Sequence, residues 1–117
     1  MIEALRKQIG GPRDGALLRY SLGHAFLGAG DSRAAIEQLR AAVEFDANYS
    51  AAWKILGQAL QQQGDFAAAL AAWQQGTAVA TQRGDVQAAK EMIVFLRRLQ
   101  KATSKDLAPA APSQTDD

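Results

Sequence analysis

A glycine followed by an aspartate occurs at Gly30-Asp31 and again at Gly64-Asp65, 34 residues later. The dipeptide has a mechanical meaning. Glycine accepts the left-handed backbone conformation that closes a helix, and aspartate accepts the free amide hydrogens that open the next one. Ala, Leu, Gln, Arg and Glu dominate between these points, and all are good helix formers. Almost no strand pattern is present. The chain therefore reads as a row of helices joined by tight stop-and-start hinges. The spacing predicts helices over residues 2–9, 15–28, 32–45, 50–63 and 66–81. Asp14 is the expected cap of the second. A third pair, Gly84-Asp85, comes only 20 residues after the second pair and opens a last helix expected to end near Lys101.

Residues 16–49 align with residues 50–83 without a gap. Leu22 falls on Leu56, Gly23 on Gly57, Ala25 on Ala59, and Ala34-Ala35 on Ala68-Ala69. Few other positions agree. The matches lie where two helices cross closely or where a turn needs glycine, as packed hairpins require. The expected organisation is a short helix and linker at 1–13 and the repeat region at 14–83. A capping helix at 84–101 and a disordered tail at 102–117 follow. The tail, rich in Ala, Pro, Ser and acid, has too little apolar surface to offset the entropy of ordering.

A period of 34 built from two helices resembles the tetratricopeptide repeat family, whose pattern is Trp-x-x-Leu-Gly-x-x-Tyr, then Ala-x-x-x-Phe, then Pro. The second repeat supplies Trp53, Leu56, Gly57 and Leu60, then Ala69 and Trp73. The first supplies Leu22, Gly23 and Phe26, then Ala35 and Leu39. Arg19 departs from the pattern where Trp is expected, and Ala47 and Thr81 depart where Pro is expected. The resemblance implies an all-α fold of antiparallel hairpins stacked as a short right-handed solenoid. Two repeats are fewer than the three or so that such stacks need, so the flanking helices are expected to act as caps.

The resemblance also implies a concave groove lined by the first helix of each repeat, holding a peptide or helix of another protein. On the first repeat the groove positions are Leu17, Tyr20, His24, Leu27 and Gly28. On the second they are Ala51, Lys54, Gln58, Gln61 and Gln62. Leu18, Leu22, Ala25 and Phe26 lie on the opposite side of their helix and belong to the core. The first helix thus has two apolar faces. Tyr20, His24 and Leu27 are the expected apolar anchors, and Lys54, Gln58, Gln61 and Gln62 the polar readers. An alternative is that the chain's own first helix or tail covers Tyr20 and Leu27. One subset of the family grips free carboxyl termini of chaperones with Lys, Asn and Arg. Here Tyr20, His24 and Ile55 occupy those positions with Lys54 the only nearby cation, so that clamp is missing.

The last helix gathers Val86, Ala89, Ile93 and Leu96, continued by Ala88, Met92, Phe95 and Leu99, on one wide apolar face. That width suits a deeply set terminal helix. A second reading is a homo-oligomer joined through Met92, Phe95 and Leu99. The polar side carries Lys90, Arg97, Arg98 and Lys101 with Val94 among them. This is a candidate second surface for an acidic partner. No aromatic residue stands in the stripe to stack on bases, which argues against nucleic acid.

Composition excludes several classes. Thirteen basic residues face twelve acidic ones in a chain of 117, so net charge gives no general drive toward nucleic acid or anionic membranes. Cysteine is absent, and His24, the one histidine, lacks the companions of a metal site. No catalytic elbow or phosphate loop occurs. Neither a cofactor, a metal nor an enzymatic activity is expected. No apolar run reaches the roughly 20 residues that span a bilayer. With Glu3 near the start and no apolar leader core, a cytoplasmic location is expected.

Overall fold

The computed structural model describes residues 1–107, with side chains to Ser104. Six helices follow one another: α1 (Ile2–Arg6), α2 (Ala16–Gly28), α3 (Ser32–Phe45), α4 (Ser50–Gln63), α5 (Phe66–Arg83) and α6 (Val86–Leu107). No strand occurs among the described residues. The all-α hairpin architecture expected from the repeat is the one observed.

Each Gly-Asp pair works in the same way. Gly30, Gly64 and Gly84 hold φ values of 84°, 90° and 78°, the left-handed region open to glycine. The following aspartate amide donates back across the turn, from Asp31 to Phe26 O (2.9 Å), Asp65 to Leu60 O (2.9 Å) and Asp85 to Ala80 O (2.8 Å). The aspartate side chain then accepts the amide of Ala34, Ala68 or Ala88 at 3.1, 3.2 and 3.3 Å. One dipeptide satisfies orphan groups on both helices it joins.

Two layers result. Each helix packs on the next in sequence; α2 also touches α4, and α4 touches α6. Helices α2, α4 and α6 form an inner layer, while α3 and α5 lie outside it. Glycine allows the layers to close. A methyl group on Gly23 would lie 2.4 Å from Leu39 Cγ, and one on Gly57 only 2.1 Å from Trp73 Nε1. These pairs are 34 residues apart in both members, so the repeat is the same contact made twice. Gly76 takes Met92 in a similar way, with Sδ 2.5 Å from where its methyl would stand. Trp73 is buried, donates to Lys54 O at 3.0 Å and lies 5.4 Å from the Phe95 ring.

Several expectations need correction. Helix α1 stops at Arg6 rather than residue 9, giving way to turns closed from Gln8 to Leu5 and from Ile9 to Arg6. Ile2, Leu5 and Ile9 still pack against the core. Asp14 does not cap α2, whose N-cap is Gly15 without a side-chain bond. Its carboxylate instead accepts Arg19 Nε (2.8 Å), Arg19 Nη2 (3.0 Å) and the Gly10 amide (2.8 Å). Helix α5 runs past Thr81 to Arg83, because no proline interrupts it before Gly84. Helix α6 continues beyond Lys101 to Leu107, so the start of the expected disordered tail is helical. Residues 108–117 of that tail lie outside the described residues. Val86, placed by the sequence on the apolar face of α6, is 59% exposed.

Candidate functional site

The inner layer brings the candidate groove residues onto neighbouring helices. On α2, Leu17 is 69% exposed, His24 is exposed, and Tyr20 and Leu27 are half-buried. Tyr20 lies between His24 and Tyr49, with ring centroids 6.2 and 5.0 Å away. Tyr49 had no sequence signal, since it belongs to the turn before α4 and meets Tyr20 only through space. Burial beside Tyr20 and Asp46 pushes its phenol above the ordinary value. Leu27 packs against the core, so its role is partly structural.

Helix α1 borders this surface without closing it. Met1 helps line a cleft of about 250 Å³ with Tyr20, Ser21 and His24. Leu5, Gln8, Arg13, Leu17, Leu18 and Ser21 line an adjoining cleft of about 230 Å³. Ser21 stands at the seam of the two. Met1 and Leu5 are thus rim residues of these clefts.

On α4, Gln61 and Gln62 are exposed, and Gln58 and Ala51 half-buried. Lys54 is not a free reader. Its ammonium meets Glu91 Oε1 of α6 at 2.9 Å, and Gln87 donates to the other Glu91 oxygen at 3.3 Å. These two contacts, Lys54 first, hold the Glu91 carboxyl below its ordinary value. Ile55, assigned to a clamp position, is buried in the core. At the head of the same helix, Ser50 donates to Asp85 Oδ2 at 3.0 Å, tying α4 to the start of α6.

Arg19 explains the missing tryptophan of the first repeat. It forks onto Asp14, reaches Gln38 Oε1 of α3 at 3.3 Å and lies 5.7 Å from the Phe45 ring. The fork ties α2 to the turn before it, while the Gln38 and Phe45 contacts tie α2 to α3.

On α6, Met92 and Leu99 are buried in the chain's own core and Phe95 lies against Trp73. Of the face suggested for self-association, Met92 and Leu99 are thus spent within the chain, and Phe95 stays half-buried. Lys90, Val94, Arg97, Arg98 and Lys101 are exposed, and none of the four cations pairs with a carboxylate among the described residues. No three His, Asp or Glu side chains converge as a metal site among the described residues. No described helix is long and apolar enough to cross a membrane.

Comparison with known proteins places this architecture. The tetratricopeptide repeat family profile matches residues 26–93. The TPR repeat-containing protein PA0015 of Pseudomonas aeruginosa is 53% identical over 102 residues, covering 87% of this chain and 97% of that protein. The solution structure of protein BPP2914 from Bordetella parapertussis aligns with a TM-score of 0.79 at 42% identity, covering 97% of both chains. A crystal structure of MamA aligns with a TM-score of 0.62 over 90% of this chain and 68% of MamA. At 20% identity, that likeness concerns the fold alone.

Proposed function

The chain belongs to the tetratricopeptide repeat family, and from that premise we propose that it is a non-enzymatic interaction module. It acts as an adaptor or assembly factor that holds a peptide or helix of another protein against its inner layer. Members of the family generally mediate protein–protein contact. The observation that carries the reading is the second apolar face of α2. Leu17 stands 69% exposed on it, beside the Tyr20–His24 cleft. A solvent-facing leucine next to a partly open aromatic cleft is the kind of anchor site that an amphipathic segment fills. Gln58, Gln61 and Gln62 supply amides that read a backbone or polar side chains along the same layer. With a face this short, single-site affinity is expected to be roughly micromolar or weaker. The proposal includes a cytoplasmic location, which fractionation of the source cell checks.

The test is affinity capture from lysate with wild type beside Leu17→Ala/His24→Ala. Both positions are exposed, so the variant is expected to keep its fold by circular dichroism. A protein retained by wild type and lost by the variant supports the reading. Identical capture by both moves the binding surface off α2.

A further inference from the structure

The near-zero net charge of the chain conceals an uneven distribution, since Asp14, Asp31, Asp46, Asp65 and Asp85 all stand in the turns between helices. Helices α2 and α4, with α6 as far as Ser104, carry Arg19, Lys54, Lys90, Arg97, Arg98 and Lys101 but one carboxylate, Glu91. That carboxylate is spent on Lys54, and Arg19 is spent on Asp14. Four cations on α6 remain unopposed among the described residues. In the outer layer, α3 balances Arg33 and Arg40 against Glu37 and Glu44, and α5 adds Arg83 alone.

The direction of the cations follows from helix geometry. Glu91 fixes which side of α6 meets α4, through its 2.9 Å contact with Lys54. Val94 and Arg98 stand three and seven residues on, on that same side. Lys101 continues the row from Val94 and Arg97, with Lys90 one turn before Val94. Met92, Leu99 and Ala89 are buried on the opposite side. Helix α6 is thus placed as the inner helix of a third repeat with no outer partner among the described residues. Its basic stripe adjoins the α4 surface rather than forming a separate site.

We infer that the segment bound by the inner layer is acidic, an amphipathic stretch of protein with its apolar end on Leu17 and Tyr20 and its carboxylates on the α6 cations. This rests on the inner-layer reading above. The stripe from Lys90 to Lys101 rises about 16 Å along the helix axis, enough for several carboxylates on consecutive turns of a partner helix. Exposed ion pairs are individually weak, so the cations add preference and salt dependence to an apolar anchor.

A random peptide library displayed on phage and selected against the full chain tests this. Selected peptides are expected to combine Asp or Glu with a neighbouring apolar anchor. Fluorescence anisotropy with one selected peptide should then show roughly tenfold weaker binding to Arg97→Gln/Arg98→Gln/Lys101→Gln at low salt. It should also show weakened binding to Leu17→Ala. Three results overturn the inference: selected peptides without acid enrichment, binding unchanged in the triple variant, or a single-stranded oligonucleotide that binds more tightly than the peptide through the same cations. Loss of binding in Leu17→Ala with none in the triple variant leaves the inner-layer reading standing and removes only the acidic preference. A selection that yields nothing from the wild-type chain counts against both.

Discussion

Gly57 has no room for a methyl group. The ring it faces, Trp73, is buried and held by a hydrogen bond to Lys54 O, so it has nowhere to retreat. Gly57→Ala is expected to cost about 1–3 kcal/mol from overpacking, after the helix-propensity gain of about 1 kcal/mol is overwhelmed. Gly28 is the control. It is exposed, helical, and has nothing within 4 Å of an added methyl, so Gly28→Ala should be neutral or slightly stabilising. Urea denaturation of the two variants checks the pair, and equal midpoints would refute the packing account. Asp14 supplies a second residue-scale prediction. The Arg19 guanidinium, with the Gly10 amide, holds its carboxyl well below the ordinary value of 3.8. The unfolded chain therefore takes up a proton in acid that the folded chain refuses. The stabilisation is complete above the ordinary carboxylate range and is lost as pH falls below it. Asp14→Asn should be less stable than wild type at pH 7, and the gap should narrow by pH 3. A gap independent of pH would mean that the ion pair is not what the substitution removed.

At the scale of elements, α6 is the decisive one. It supplies Ala88, Ala89, Met92 and Leu99 to the core and closes over Gly76. Without it the α5 wall that includes Trp73 and Ala80 loses its cover. Truncation after Gly84 is expected to give a chain that binds hydrophobic dye and lacks a sharp thermal transition. A truncated chain that still melts cooperatively would show that two hairpins suffice. The periodic pattern made the existence of α6 and its buried residues Met92 and Leu99 legible. Its far end was not legible, because the composition of residues 102–107 reads as a tail while the backbone continues the helix. The start of α2 was misread for a related reason. Asp14 has the sequence position of a cap, but Arg19 one turn further on competes for its carboxylate and wins with a bidentate, charge-assisted contact.

At the scale of the whole molecule, three inner helices and two outer ones leave a surface that no single helix predicts. The clefts by Tyr20 and Leu17 require α1 beside α2. The Lys54–Glu91 pair requires α4 beside α6. Together they turn an apolar end and a basic end into neighbouring parts of one layer. The same packing buries Met92 and Leu99 within the chain and leaves Phe95 half-buried, so little of the apolar face suggested for a second copy is exposed.

The sequence by itself determined the helices, the 34-residue period, the Gly-Asp hinges and most of the core. These are local: a left-handed glycine, a capping aspartate and a 3.6-residue apolar rhythm act within a few residues of one another. The candidate positions on α2 and α4 were also legible as positions, through the resemblance of the repeats. The tertiary structure alone decided which of them remain available. Lys54 is taken by a residue 37 positions away, and Tyr20 is flanked by Tyr49 across a turn. It also decided that, among the residues described as far as Ser104, a chain of nearly balanced charge presents inner helices with Glu91 as their one carboxylate. Net charge is a sum over residues, whereas the field at a surface depends on which residues the fold sets side by side.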